Sequence, residues 1–413
     1  MPGYNIDLNK ILLFISLVLL SYSLHARQDK PLDKETVLEI IADQQMKNKL
    51  INESALAKIS EDPSVRKVIE WYEIDPPVYK PDAQVLNIRS VSQLGQISKE
   101  DAEKVRAMSV QLGKITNSLN TDHVVSFALF KNLEYLQIKN TDQSFDFSGL
   151  NKLRTLDFSY VYDLPEISPT VGHLKNLEYL VMNGVNKVKI IPESIYTLKK
   201  LKSFTLTAPD IRDDTLSSSI KNLRDLTYLE LYASSLSFPD EIGALTNLRE
   251  LQIDNIAYIP YEAIYNLPNL QTLGINAGSA SNLKGISRMK ALKVLNLRSY
   301  ELPPELGDLK TLEGLIISGY QGMTYPQELA RLSKLKALYI GSNSVFTDAP
   351  QFIPMLPNLK FLEIRGCNEL VTFSLAYKSM KNVEVIQLLY NNKITTVPSN
   401  LQHIKERVMI HSH

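Results

Sequence analysis

Side chains able to do covalent or metal chemistry are few and scattered in this chain. Of the six histidines, His25, His123, His173, His403, His411 and His413, only the last two lie close together, and neither an H-E-x-x-H nor a C-x-x-C spacing occurs. No metal site is expected from that pattern. The single cysteine, Cys367, excludes an intrachain disulfide. Nucleophile-elbow, phosphate-cradling and dinucleotide-binding glycine motifs are all missing, so no catalytic residue and no cofactor is expected. Carboxylate pairs such as Glu230 and Asp254 could do acid–base work, but a chain with many exposed positions produces such pairs without purpose. Tyrosine is what recurs, with 20 in the chain. Its ring offers apolar area and a hydroxyl at low entropic cost, which suits a binding surface better than a reaction.

The elements that position these tyrosines follow from leucine spacing. In "ELPPELGDLKTLEGLIISGY", residues 301–320, the apolar positions run 302, 306, 309, 312, 315 and 317. The period drifts from helical to strand-like, so a helical turn feeds a short strand. An L-x-x-L-x-L core recurs as "LEYLQI" from Leu133, "LRTLDF" from Leu153, "LEYLVM" from Leu177, "LKSFTL" from Leu201, "LTYLEL" from Leu226 and "LRELQI" from Leu248. It continues as "LQTLGI" from Leu270, "LKVLNL" from Leu292, "LEGLII" from Leu312, "LKALYI" from Leu335, "LKFLEI" from Leu359 and "VEVIQL" from Val383, with starts 20 to 25 residues apart. That core and period give one strand plus a return segment per repeat. Weaker copies from Ala83 and Val105 bring the array to about fourteen units. Return segments such as "IPESIYTLKKL" and "FPDEIGALTNL" open on proline, which costs no hydrogen bond at the head of a helical turn.

These motifs resemble the leucine-rich repeat superfamily, in its L-P-x-x-[IL]-x-x-L-x-x-L-x-x-L-x-L type, across residues 83–401. The resemblance implies an α/β solenoid, a right-handed superhelix with a concave parallel sheet and short helices or turns on the convex side. It also implies a non-enzymatic module that binds proteins or peptides. The family's usual asparagine, eight residues past the first leucine, is matched by Asn343 and Asn391, with Cys367 between them, whereas the earlier repeats hold Thr141, Val161 and other residues there. The resemblance therefore makes Cys367 a structural thiol.

The flanks complete the organisation. Residues 1–26 have the order of a signal peptide: Lys10, an apolar run from Ile11 to Leu24, then Ala26. That run reaches about 21 Å as a helix, short of the ~30 Å hydrocarbon core, so no membrane span is expected after its removal. Residues 27–82 read as an N-terminal helical cap and linker, and residues 402–413 as a C-terminal cap or tail with a closing strand at Val408 and Ile410. Secreted animal and plant relatives commonly use cysteine-rich caps, so their absence makes a bacterial periplasmic or exported monomer the expectation. Lys+Arg and Asp+Glu are both 45, which supplies no footprint for nucleic acid.

In L-x-x-L-x-L-x the third, fifth and seventh residues face away from the core. Read across the first six strong repeats, they give the expected ligand-binding surface: Tyr135, Tyr179, Tyr228, Glu230, Tyr232, Gln252 and Asp254. A protein or peptide is the expected ligand, and a glycan or cell-envelope polymer, packing on tyrosine rings, is the alternative.

Overall fold

The computed structural model describes residues 54–71, 75–113, 124–211, 216–234, 236–319, 322–341 and 345–411. The signal segment, the start of the cap region and Asn343 lie outside them. Each L-x-x-L-x-L core forms a short strand because its alternate leucines can be buried on one face. Fifteen parallel strands, from Val85–Ile88 to Val408–His411, join one sheet in chain order. The pairing is in register, Leu295 opposite Leu315, Leu315 opposite Leu338 and Leu338 opposite Leu362, so the leucines stack into one continuous core. The expected closing strand is the fifteenth, paired with Val385–Leu389.

Behind the sheet, return segments make short 3₁₀ turns, with Pro192, Pro239, Pro303 and Pro326 at the N-cap positions. Each turn buries a residue such as Ile195, Ile242, Leu306 or Leu329 against the strands. Leu306, Leu309, Leu312, Leu315 and Ile317 are all buried in the same core, which resolves the drifting period of residues 301–320. Near the N-terminal end the return path is aromatic instead: Phe127, Phe145 and Phe147 stack with centroids 6.0 to 6.5 Å apart.

Two asparagine ladders join the turns. The expected one is present at the C-terminal end, where the Asn391 amide accepts from the Cys367 N–H and donates to the Ile364 carbonyl, both at 2.8 Å. Cys367 is buried there. A second ladder uses the asparagine just before the first core leucine. Asn132, Asn176, Asn247, Asn269, Asn358 and Asn382 each donate to a backbone carbonyl one repeat earlier, at 2.6 to 2.9 Å. This ladder also ties the earlier repeats that lack the first one.

The N-terminal segment departs from the cap expectation. One helix of this segment, Pro63–Ile69, is capped by the Asp62 carboxylate, which accepts from the Ser64 N–H at 3.0 Å. Ile59, Val65, Val68 and Trp71 from this segment are buried against Val294, Ile316, Ala337, Phe361 and Val385, on the concave face of the sheet rather than over its end. Chemistry explains the placement. Those five strand residues occupy outward positions held in earlier repeats mostly by polar residues or tyrosine, so from about the eighth repeat the concave face is an apolar patch that needs cover. Two glycines make room: a Cβ on Gly314 would sit 2.7 Å from Val68 Cγ2, and one on Gly274 would sit 2.8 Å from Trp71 Cζ2.

Candidate recognition site

Polar clasps hold the N-terminal segment to the sheet at both ends. Lys336 Nζ is 2.6 Å from both Asp62 Oδ2 and Glu313 Oε2, and Ser64 Oγ donates to Glu313 Oε2 at 3.2 Å. Lys67 pairs with Glu250. Further along, the Tyr79 N–H donates to Thr155 Oγ1 at 3.2 Å, the Thr155 hydroxyl donates back to the Tyr79 carbonyl at 2.7 Å, and the Tyr79 hydroxyl donates to Glu134 Oε2 at 2.9 Å. The Arg154 guanidinium lies 3.7 Å over the Tyr79 ring. Five strand spacings separate the Gly274 strand from the Thr155 strand, or about 24 Å at ~4.8 Å each, and the eight residues from Trp71 to Tyr79 reach about 26 Å when extended. Pro76 and Pro77 favour extended backbone over the described residues 75–79.

Between the segment and the sheet is a cavity of about 400 Å³, lined by Trp71, Asp75 and Pro76 on one side and by Tyr160, Asn183, Thr207, Glu230, Tyr232, Gln252, Asp254, Gly274, Asn276, Asn296, Arg298 and Ser318 among the sheet residues. Of the residues expected from sequence, Glu230, Tyr232, Gln252 and Asp254 meet here. The other three do not line it. Tyr135 is 4% exposed and donates to Asp157 Oδ2 at 3.3 Å, with Lys80 Nζ 5.8 Å from its ring centroid. Tyr179 is half-buried. Tyr228 is 5% exposed and donates to Glu230 Oε2 at 2.7 Å, so it positions that carboxylate and offers little area to a partner. Tyr232, at 36% exposed, is open.

Electrostatics single out Glu230. Burial raises its carboxyl above the ordinary range and Glu250 adds to the rise, which the Tyr228 hydroxyl and the Lys67 ammonium only partly offset. Its neighbours are better compensated: Gln252 Nε2 donates to Glu250 Oε1 at 2.9 Å, and Asp254 Oδ2 is 3.6 Å from Arg298 Nη1. Burial also pushes the Tyr135 and Tyr228 hydroxyls well above the usual phenol range, so both stay protonated donors. The sequence reading missed Trp71, Asp75 and Arg298. Arg298 holds the same outward position two repeats beyond Asp254, whereas Trp71 and Asp75 sit in the segment read as a cap.

Parallel strands in chain order, backed by proline-headed turns, define a leucine-rich repeat solenoid. Residues 104–281 match the family described as a leucine-rich repeat region, and the fold is that of a leucine-rich repeat solenoid. Among curated proteins it is similar to disease resistance-like protein DSC1 of Arabidopsis thaliana, 27% identical over 214 residues covering 48% of this chain and 17% of that protein. It is also similar to receptor-like protein 39 of the same plant, 24% identical over 323 residues covering 71% of this chain and 35% of that protein. The chain thus spans between about a sixth and a third of the length of these relatives. Among solved structures, an internalin from Listeria monocytogenes matches with a TM-score of 0.52 and 20% identity, covering 77% of this chain and 89% of that one. At such identity the likeness establishes the fold alone. No helix among the described residues is long and apolar enough to cross a membrane.

Proposed function

We propose that the chain is a non-enzymatic recognition module that binds a protein or peptide on the part of its concave sheet left open by the N-terminal segment. The supporting observation is the division of that face. From about the eighth repeat its apolar residues are covered by the chain itself, while Glu230, Tyr232, Gln252 and Asp254 line an open cavity. Aromatic and charged side chains gathered around a concavity are the usual make-up of a binding hot spot. The face works as a monomer and outside the cytoplasm, a location motivated by the apolar run at Ile11–Leu24 followed by Ala26. With a partner captured from the native envelope, Tyr232→Ala should weaken binding by about 2 kcal/mol, whereas Leu375→Ala, at a convex-side position 72% exposed, should leave it unchanged. Equal affinity for both variants and the parent would remove the concave face as the site. A glycan is the second reading, supported by tyrosine rings beside amide groups. It requires the same Tyr232 dependence towards a purified envelope polysaccharide.

A further inference from the structure

Building on the recognition reading, we propose that the cavity beneath the N-terminal segment is a receptor for one basic side chain, the guanidinium of arginine or the ammonium of lysine, presented by a protein or peptide partner. Its volume of about 400 Å³ is small for a ligand pocket and leaves room for a long side chain with the peptide backbone that carries it. Three carboxylates, Asp75, Glu230 and Asp254, line it against one guanidinium, Arg298, leaving two negative charges when all are ionised. Arg298 lies 3.6 Å from Asp254, so Asp75 and Glu230 remain without an ion-pair partner among the described residues. The Trp71 and Tyr232 rings complete the lining, and aromatic faces attract cations through their quadrupoles. The site is also built. The Tyr228 hydroxyl fixes Glu230 Oε2 at 2.7 Å, which pre-orients the carboxylate before any partner arrives. Burial disfavours the charge on Glu230, and an entering cation relieves that penalty, whereas an anion adds to it. Neutral ligands gain nothing from the two negative charges.

Trp71 is the only tryptophan in the chain, so tryptophan emission, excited at the red edge where tyrosine does not absorb, reports from the segment that walls this cavity. The test titrates the full chain with N-acetyl-arginine amide, N-acetyl-lysine amide and the neutral isostere N-acetyl-citrulline amide, and repeats the series with Glu230→Gln and Asp254→Asn. The expected result is a saturable change in Trp71 emission with the two cations, at least about tenfold weaker with citrulline, and weakened about tenfold by Glu230→Gln. A circular dichroism melt of each variant confirms folding. Equal responses to arginine and citrulline, no saturable response, or full affinity in both variants would overturn the proposal. So would saturation by a neutral N-acetylglucosamine disaccharide while the cations stay silent. If the cations fail here but Tyr232→Ala still loses the captured partner, the basic-side-chain assignment falls and the recognition reading stands.

Discussion

Replacing Val68 by aspartate should release the N-terminal segment while leaving the solenoid folded. Val68 is 3% exposed and packs in a small cluster with Val294, Ile316 and Phe361, separate from the main core. Losing a buried valine forfeits roughly 1.5 kcal/mol or more, and placing a carboxylate in that apolar patch adds a few kcal/mol. A shift of at least about 3 kcal/mol lowers the attached population more than a hundredfold, since ~1.4 kcal/mol is tenfold. Two assays read the result. Trp71 is 8% exposed when docked, so Val68→Asp should move its emission to the red. Trypsin should then cut rapidly after Arg66 or Lys67, which lie in the docked helix. Far-UV circular dichroism and the main melting transition should stay near those of the parent, because the stacked leucines are untouched. Unchanged emission together with unchanged protection would refute the docking. Loss of the whole array would refute the separation of the two cores.

Within the main core, Leu295 and Leu315, 0% and 1% exposed, should each cost about 2 to 5 kcal/mol when truncated to alanine, read by chemical denaturation. Asn247→Ala, which removes one rung of the second ladder, should cost about 1 kcal/mol, and a wild-type denaturation midpoint would show that the rung contributes nothing. The Cys367 thiol should resist an aromatic disulfide reagent in the native state and react fully in denaturant, because it is 0% exposed. Acid should loosen the docked segment: burial alone would raise the Asp62 carboxyl, but Lys336 and the Ser64 and Val65 amides hold it below its ordinary 3.8. That contribution is present above about pH 4 and is lost as the pH falls through the depressed value, a loss absent in Asp62→Asn and visible in Trp71 emission. Glu230 runs the other way: its raised carboxyl contributes stability that fades as the pH climbs through that value, so Glu230→Gln should melt higher than the parent at neutral pH.

Most of the fold was legible because a leucine-rich repeat writes its core many times. Leu295 and Leu315 could be placed by spacing alone, since register repeats from strand to strand and a slip would expose every leucine. Asn391 was legible for the same reason. The six asparagines before the first core leucine were equally periodic, in "NLEYL", "NLREL" and "NLKFL", but their role needed the carbonyl one repeat back. The docked helix was the larger miss. Its own stripe of Val65, Val68 and Ile69 showed only that it must pack somewhere, and no local pattern states which surface. The signal lay elsewhere in the chain, in Val294, Ile316, Ala337, Phe361 and Val385, apolar residues at outward positions where a solvated face would be polar. Gly274 and Gly314 completed it, as strand glycines that admit a close approach. Outward positions were read only through Asp254, so this second row went unread. The same omission turned Tyr228 into an expected contact, although its hydroxyl is spent on Glu230.

The docking of residues 54–71 on the concave face decides which part of the sheet a partner can reach, and zero-length carbodiimide cross-linking tests it directly. Lys67 pairs with Glu250, 183 residues away, and Lys336 pairs with Asp62, 274 residues away. Treatment of dilute monomer followed by peptide mass spectrometry should recover both amide links within one chain, and both should disappear in Val68→Asp. Recovery of neither link, or of links between molecules only, would contradict the docked segment and return the whole concave face to solvent.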